Sequence, residues 1–173
     1  MNRSWNLKDL RDYIVHEHDK DPSMLDLVSS IDRGISIFRY HFSTARDSLT
    51  DFYAEDAKAH KQHVKRVLGV SEDQEEFQLA KIANEANTIA AIYTVRSVFD
   101  IFSQLVRRLL LERELREGEC NIHRVRDHLQ DGPLRTSIER LLESEGFRYI
   151  KCVRECHKAS FFGQIWVLGR FRE

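Results

Sequence analysis

Two prolines, Pro22 and Pro133, are all that this chain of 173 residues contains, and it has only seven glycines. With so few breakers, the 110 residues between the prolines can run as long helices. The frequent tight turns of an all-β architecture have little to be built from. Three cysteines, Cys120, Cys152 and Cys156, form no disulfide framework. The opening residues Met1-Asn2-Arg3-Ser4-Trp5 carry no apolar run of the signal-peptide kind. No uncharged stretch reaches the ~20 residues that a bilayer span needs. The longest apolar stretch, Ile89–Leu111, is interrupted by Arg96, Asp100, Gln104, Arg107 and Arg108. The expectation is a cytoplasmic protein in a reducing compartment, without membrane contact. Glycine-rich phosphate loops, Gly-x-Ser-x-Gly elbows and His-Glu-x-x-His zinc motifs are missing. No histidine follows a Glu or Asp by three residues, so the pattern of di-iron bundles is missing too.

What the chain does have is a hydrophobic content of 42% with 32% charged residues, enough for one core and one domain spanning 1–173. Leu7, Leu10, Ile14 and Val15 predict a first helix from Trp5 to about His18, capped by Ser4. From Pro22 or Ser23, apolar residues at threes and fours run from Leu25 through Phe42 toward Leu68. A break near Ser48-Leu49-Thr50 is foreseen, and Gly69 closes the segment. Ser71 is set to cap a third long helix reaching about Arg116, in which Leu79, Ile82, Ala86, Ile89 and Tyr93 give the cleanest pattern of the chain. Its broad apolar face predicts a central, nearly surrounded helix. Asn121 opens a short helix to Leu129, and Pro133 opens another, interrupted at Gly146 before the segment Phe147–Lys158. Ser160–Gly169 is strand-like in composition. The predicted fold class is all-α: an antiparallel up-and-down helical bundle of about five helices with a short extended C-terminal tail.

The net charge of −1 excludes a general nucleic-acid coat, yet the charge is uneven. Residues 71–119 hold six cations against ten anions, and residues 120–173 hold ten against seven. An anionic partner therefore fits the C-terminal third best. Read as a helix, Phe147–Lys158 sets Arg148, Lys151, Arg154 and Lys158 on one side, with His157 at the border of that stripe. His157 has the near-neutral pKa that suits a general acid/base, and Arg154 has the planar fork that suits phosphate oxygens. A solvated helix face has the same composition.

Arg96 and Asp100, one turn apart, continue the stripe of the most apolar helix. They read either as polar groups lining a site or as a buried ion pair that fixes helix register. Cys120 and His123 with Cys152 and Cys156 are the right ligand types for zinc, though the Cys-x3-Cys spacing equally suits an apolar helix face. Asp56, His60 and His63 lie among lysines that would oppose a cation. No metal and no cofactor is expected.

The stretch Ala90-Ala91-Ile92-Tyr93-Thr94-Val95-Arg96-Ser97-Val98-Phe99-Asp100, with the later Tyr149-Ile150, Val153 and His157-Lys158, resembles the HEPN (higher eukaryotes and prokaryotes nucleotide-binding) helical bundles. The likeness spans roughly residues 75–160. It implies an all-α, dimeric bundle, and in many members a metal-independent ribonuclease of toxin–antitoxin or defence systems. The superfamily's site is an Arg followed five to seven positions later by a His. Here Arg154 precedes His157 by three positions and residue 155 is Glu, so the motif is not intact. Two expectations stand. One is an RNA-directed protein using His157 and Arg154, with Arg148, Lys151, Lys158, Arg96 and Asp100 binding or positioning RNA, alone or with an antitoxin partner. The other is a non-catalytic homodimeric interaction module.

Overall fold

The computed structural model describes residues 6–52, 57–111 and 115–152, apart from the side chains of 57–60. Among the described residues all regular structure is helical, in seven α-helical segments with two short 3-10 turns. The expectation of about five helices is exceeded because the two stretches in which an interruption was foreseen, near Ser48 and near Gly146, are each divided into separate helices. The C-terminal tail expected at Ser160–Gly169 lies outside the described residues.

Helix α1, Leu7–Glu17, is capped by Asn6, whose side-chain oxygen accepts from the Lys8 N–H at 3.0 Å. The cap expected at Ser4 falls outside the described residues. Asp19 and Lys20, both at positive φ (47° and 57°), turn the chain. Helix α2, Pro22–Ser48, then starts with proline at its first turn and Asp21 as its cap. Back-bonding hydroxyls mark its end: Ser48 donates to the Thr44 carbonyl and Thr50 to that of Arg46. Such side chains compete with the helical ladder. A 3-10 turn, Thr50–Phe52, precedes α3, Ala57–Val67. Gly69, at φ 74°, closes α3, with the Val70 N–H on the Lys65 carbonyl at 3.0 Å and the Gly69 N–H on that of Arg66 at 3.2 Å. This is the Schellman pattern that the glycine foretells.

Ser71 does not cap the next helix. Its hydroxyl donates to Asp73, which is itself the N-cap of α4, Gln74–Leu110. Asp73 offers the helix no side-chain bond because Arg66 holds its carboxylate. The Arg66 guanidinium, aided by the Ser71 hydroxyl, pulls the Asp73 pKa down to about 2. Arg66 also donates to the Phe52 carbonyl at 3.0 Å and lies over the Phe52 ring at 4.9 Å. One side chain thus ties α3 to the segments before and after it.

Helix α4 stops at Leu110, six residues short of the expected end. Leu111 and Leu115 are both buried in the same apolar cluster, and the Leu115 N–H donates to the Leu111 carbonyl at 3.0 Å. Asn121 accepts from the His123 and Arg124 N–H groups at 3.1 Å each and opens α5, Ile122–His128. Helix α6 is Pro133–Glu143. Ser144, not Gly146, makes the interruption. It is extended (ψ 146°) and accepts the Phe147 N–H on its hydroxyl at 3.2 Å, capping a final helix, α7, that is described over residues 145–152.

Helices α2 and α4 run antiparallel along their length, with Ser23 against Arg108, Gly34 against Val98, His41 against Asn87 and Ala45 against Asn84. Near one end, Ile14 of α1 joins Met24, Val28, Ile31 and Leu105 in one buried cluster. The next residue, Val106, belongs to a second cluster with Leu111, Leu115, Ile122, Val125, Leu129 and Ile138. Where the long helices cross, a Cβ on Gly34 would sit 2.5 Å from Val98 Cγ2. Valine is stiff at χ1 and cannot swing clear cheaply. Gly34→Ala should therefore cost about 1–2 kcal/mol in urea unfolding, despite the ~1 kcal/mol that alanine gains in helix propensity. Val98→Ala in the same chain should recover most of the loss. Unchanged or raised stability in Gly34→Ala alone would mean that the crossing is not tight.

The expectation of a surrounded α4 is not met. Leu79, Ile82 and Ala86 are exposed and Ile89 is half-buried, while the face turned to α2 carries Ala91 and Leu105, and Phe77 packs against Phe52 and His63. By length and composition alone α4 is apolar enough to cross a membrane, and only 33% of its most apolar window is buried. The same excess of apolar residues is what furnishes it with two apolar faces.

Candidate functional site

A polar cleft of about 310 Å³ opens where α4, the start of α5 and α7 meet. Helix α4 supplies Arg96, Phe99 and Asp100, the capped end of α5 supplies Asn121 and His123, and α7 supplies Phe147 and Lys151. Three positions named from sequence, Arg96, Asp100 and Lys151, are thereby brought to one place. Arg148 is exposed on α7 and does not line the cleft. Arg154, His157 and Lys158 lie outside the described residues.

Arg96 and Asp100 are not the buried pair considered above. Arg96 Nε and Asp100 Oδ2 stand 4.0 Å apart with side chains 37% and 53% exposed. An exposed pair of this kind contributes at most about 1 kcal/mol. Both groups are therefore available to a ligand at little cost. Phe147 forms the aromatic wall: its ring lies 5.6 Å from that of Phe99 and 6.0 Å, edge to face, from the imidazole of His123. The Ser144 cap sets the first turn of α7, which aims Phe147 inward. The cleft offers two cations, a carboxylate, an amide and a stacking surface within one opening.

Asn121 and His123 were legible in sequence only as a helix cap and a zinc-type ligand. Their place in the cleft comes from how α5 packs on α4, which no local pattern reports. The zinc constellation does not assemble among the described residues. Cys120 is half-buried against the second cluster, Cys152 is exposed on α7, and no group of three or more metal-type side chains converges. Burial pushes the Cys120 thiol above its ordinary pKa, with Arg107 pulling the other way. A thiol so placed is a poor nucleophile. Asp56 and Cys156 lie outside the described residues, nothing is described of the His60 side chain, and His63 packs edge-on to Phe77 at 6.1 Å.

Two larger recesses are apolar. One of about 480 Å³ runs between Phe38 and Phe42 of α2, Ala91 and Val95 of α4, and Tyr149 of α7. Another of about 430 Å³ lies between α2, α4 and α6. Helix α7 divides the polar cleft from the first of these, with Ile150 facing both. A few convergent polar groups are what orient a ligand, so the polar cleft is the stronger candidate for chemistry. No family model, curated protein or solved structure matches this chain.

Proposed function

We propose that the chain is a divergent HEPN-like protein that binds single-stranded RNA in the polar cleft. The observation that carries this reading is the convergence of Arg96 and Lys151 with the aromatic wall of Phe147, Phe99 and His123. Cations that track phosphates beside rings that stack bases are the general design of single-strand binding. Asn121 and Asp100 are suited to base edges, the first as donor and acceptor, the second as acceptor. The finer arrangement proposed is an antiparallel up-and-down bundle working as a cytoplasmic homodimer, with an antitoxin-type partner as a further possibility of the same class.

His157 and Arg154 follow Lys151 by six and three residues. In the catalytic form of this proposal His157 takes the proton of a ribose 2′-hydroxyl while Arg154 meets the charge growing on the phosphorane. That chemistry is complete without a metal. Arg148 and Lys158 would hold the flanking backbone. A second reading, a non-catalytic dimeric interaction module, is favoured by the exposed apolar stripe on α4.

Binding is tested by fluorescence anisotropy with a labelled unstructured RNA across a salt series. The double variant Arg96→Ala/Lys151→Ala should bind at least ~10-fold more weakly, with a salt slope shallower by about 1.4. Phe147→Leu should weaken binding by about 1–2 kcal/mol and leave that slope alone. Affinity unchanged in both variants would move any RNA contact off this cleft.

A further inference from the structure

We infer that the recess between α2, α4 and α7 is a binding site for a medium-chain carboxylate, its acyl chain lying along the helices and its head group at Arg46. The recess holds about 480 Å³, within the range of small-molecule sites. Its lining is graded rather than uniform. Along α2 it passes from Phe38 through Phe42, whose rings stack at 5.7 Å, to Arg46, each one turn after the last. Along the antiparallel α4 it passes from Val95 through Ile92 to Thr88 and Asn84. The Asn84 amide on the Ala45 carbonyl, at 2.7 Å, fixes the register, so the polar ends of the two rows coincide. One end is therefore hydrocarbon, and the other carries a guanidinium, a hydroxyl and an amide.

The occupant follows from charge and length. Among the described residues Arg46 is the charged group of the lining, which includes no Asp or Glu, so the polar end suits an anion. Asp47 takes the Arg46 Nε at 2.9 Å, in a pair exposed enough to hold Arg46 only weakly. The two Nη groups of Arg46 and the half-buried Thr88 hydroxyl make no hydrogen bond among the described residues. Paired guanidinium nitrogens of this kind fork a carboxylate. Phe38 and Arg46 are eight residues apart, about 12 Å of helix. An extended hydrocarbon advances about 1.25 Å per carbon, so roughly ten carbons span the row. Phe42 and Tyr149 stand at the walls 56% and 61% exposed, and an acyl chain between them takes both rings out of water. This inference does not depend on RNA binding in the polar cleft.

The test is isothermal titration calorimetry of the full chain, free of RNA, with the sodium salts of straight-chain acids from hexanoate to dodecanoate and with 1-octanol. The expected result is one-to-one saturation, with affinity rising about 4-fold per methylene as far as decanoate and levelling at dodecanoate. Arg46→Gln should weaken octanoate about 10-fold and leave 1-octanol unchanged. Arg33→Gln, which removes an exposed cation of α2 outside the recess, is the control and should change neither. Tyr149→Ala should weaken both ligands roughly 5-fold, since it removes a wall and no charge. Circular dichroism should show an unchanged helix content and melt in Arg46→Gln. Octanoate binding that survives Arg46→Gln, or that Arg33→Gln weakens equally, overturns the site. Titrations without saturation, or association with phosphatidylglycerol vesicles alone, overturn the ligand.

Discussion

Leu105→Ala is expected to lower the stability of the fold by about 3 kcal/mol, toward the middle of the range for fully buried leucines. Leu105 is 1% exposed and packs where α1, α2 and α4 meet, beside Ile14 and Val28, which are themselves fully enclosed. Those neighbours are anchored on two other helices, α1 and α2, and the Gly34–Val98 crossing keeps α2 and α4 from closing further. The vacated volume therefore stays largely open, which is the costly case. Because Val106 starts the second cluster, both clusters should be lost in one transition when unfolding in urea is followed by circular dichroism. A loss below about 1 kcal/mol would show that the cluster collapses around the cavity. Two separated transitions would show that α5 and α6 fold on their own.

His157→Ala is expected to remove RNA cleavage altogether while leaving binding and the thermal melt in place. The experiment uses end-labelled RNA in EDTA, with the product termini identified. Wild type should leave 2′,3′-cyclic phosphates, since attack by the ribose hydroxyl displaces the 5′-oxygen and closes that ring. General acid–base assistance is worth roughly 100- to 10,000-fold, so loss of the imidazole should bring cleavage near background. Cleavage that survives the substitution would exclude His157 from the chemistry. No cleavage by wild type, with RNA still bound in the cleft, would leave the binding proposal standing and remove the catalytic one.

The helical character and most helix starts were legible because they rest on local chemistry. Pro22, Asn121 and Pro133 each open a helix where expected, and Gly69 takes the left-handed conformation that only glycine adopts freely. The misreadings came from residues whose partners are distant. Ser71 has the composition of a cap, but Arg66 of α3 claims Asp73 and rearranges that end. Helix α4 ends at Leu110, short of the expected Arg116, and Leu111 and Leu115 beyond it are buried in the cluster that holds α5. Hydrophobic periodicity located a true stripe at Leu79, Ile82 and Ala86 but could not say which of two apolar faces meets α2. In the cleft, Arg96 and Asp100 were named because charge on an apolar pattern is conspicuous, and Lys151 because it belongs to a cationic stripe. His123 was named only as a zinc-type ligand and Phe147 for no site, since an imidazole and a ring become a wall only once α5 and α7 are brought together.

The polar contacts inside the α2–α4 seam have a consequence for alignment. The Ala45 carbonyl is left over at the end of α2, because Leu49 turns its N–H to Asp47, and Asn84 donates to it at 2.7 Å. Asn87 donates to the Ala83 carbonyl, so its oxygen is the acceptor facing His41 Nδ1 at 2.8 Å. The proton of a neutral His41 is then fixed on Nδ1, and Nε2 is left as the basic nitrogen. Sliding α4 by one turn, about 5.4 Å, would still lay apolar residues on apolar residues. It would also strand two amides, one imidazole and one carbonyl at once. Apolar adhesion by itself thus tolerates such a slide, whereas the asparagines, together with the Gly34–Val98 fit, act as a vernier that admits a single setting, and with it a single position for Arg96 and Asp100 at the mouth of the cleft.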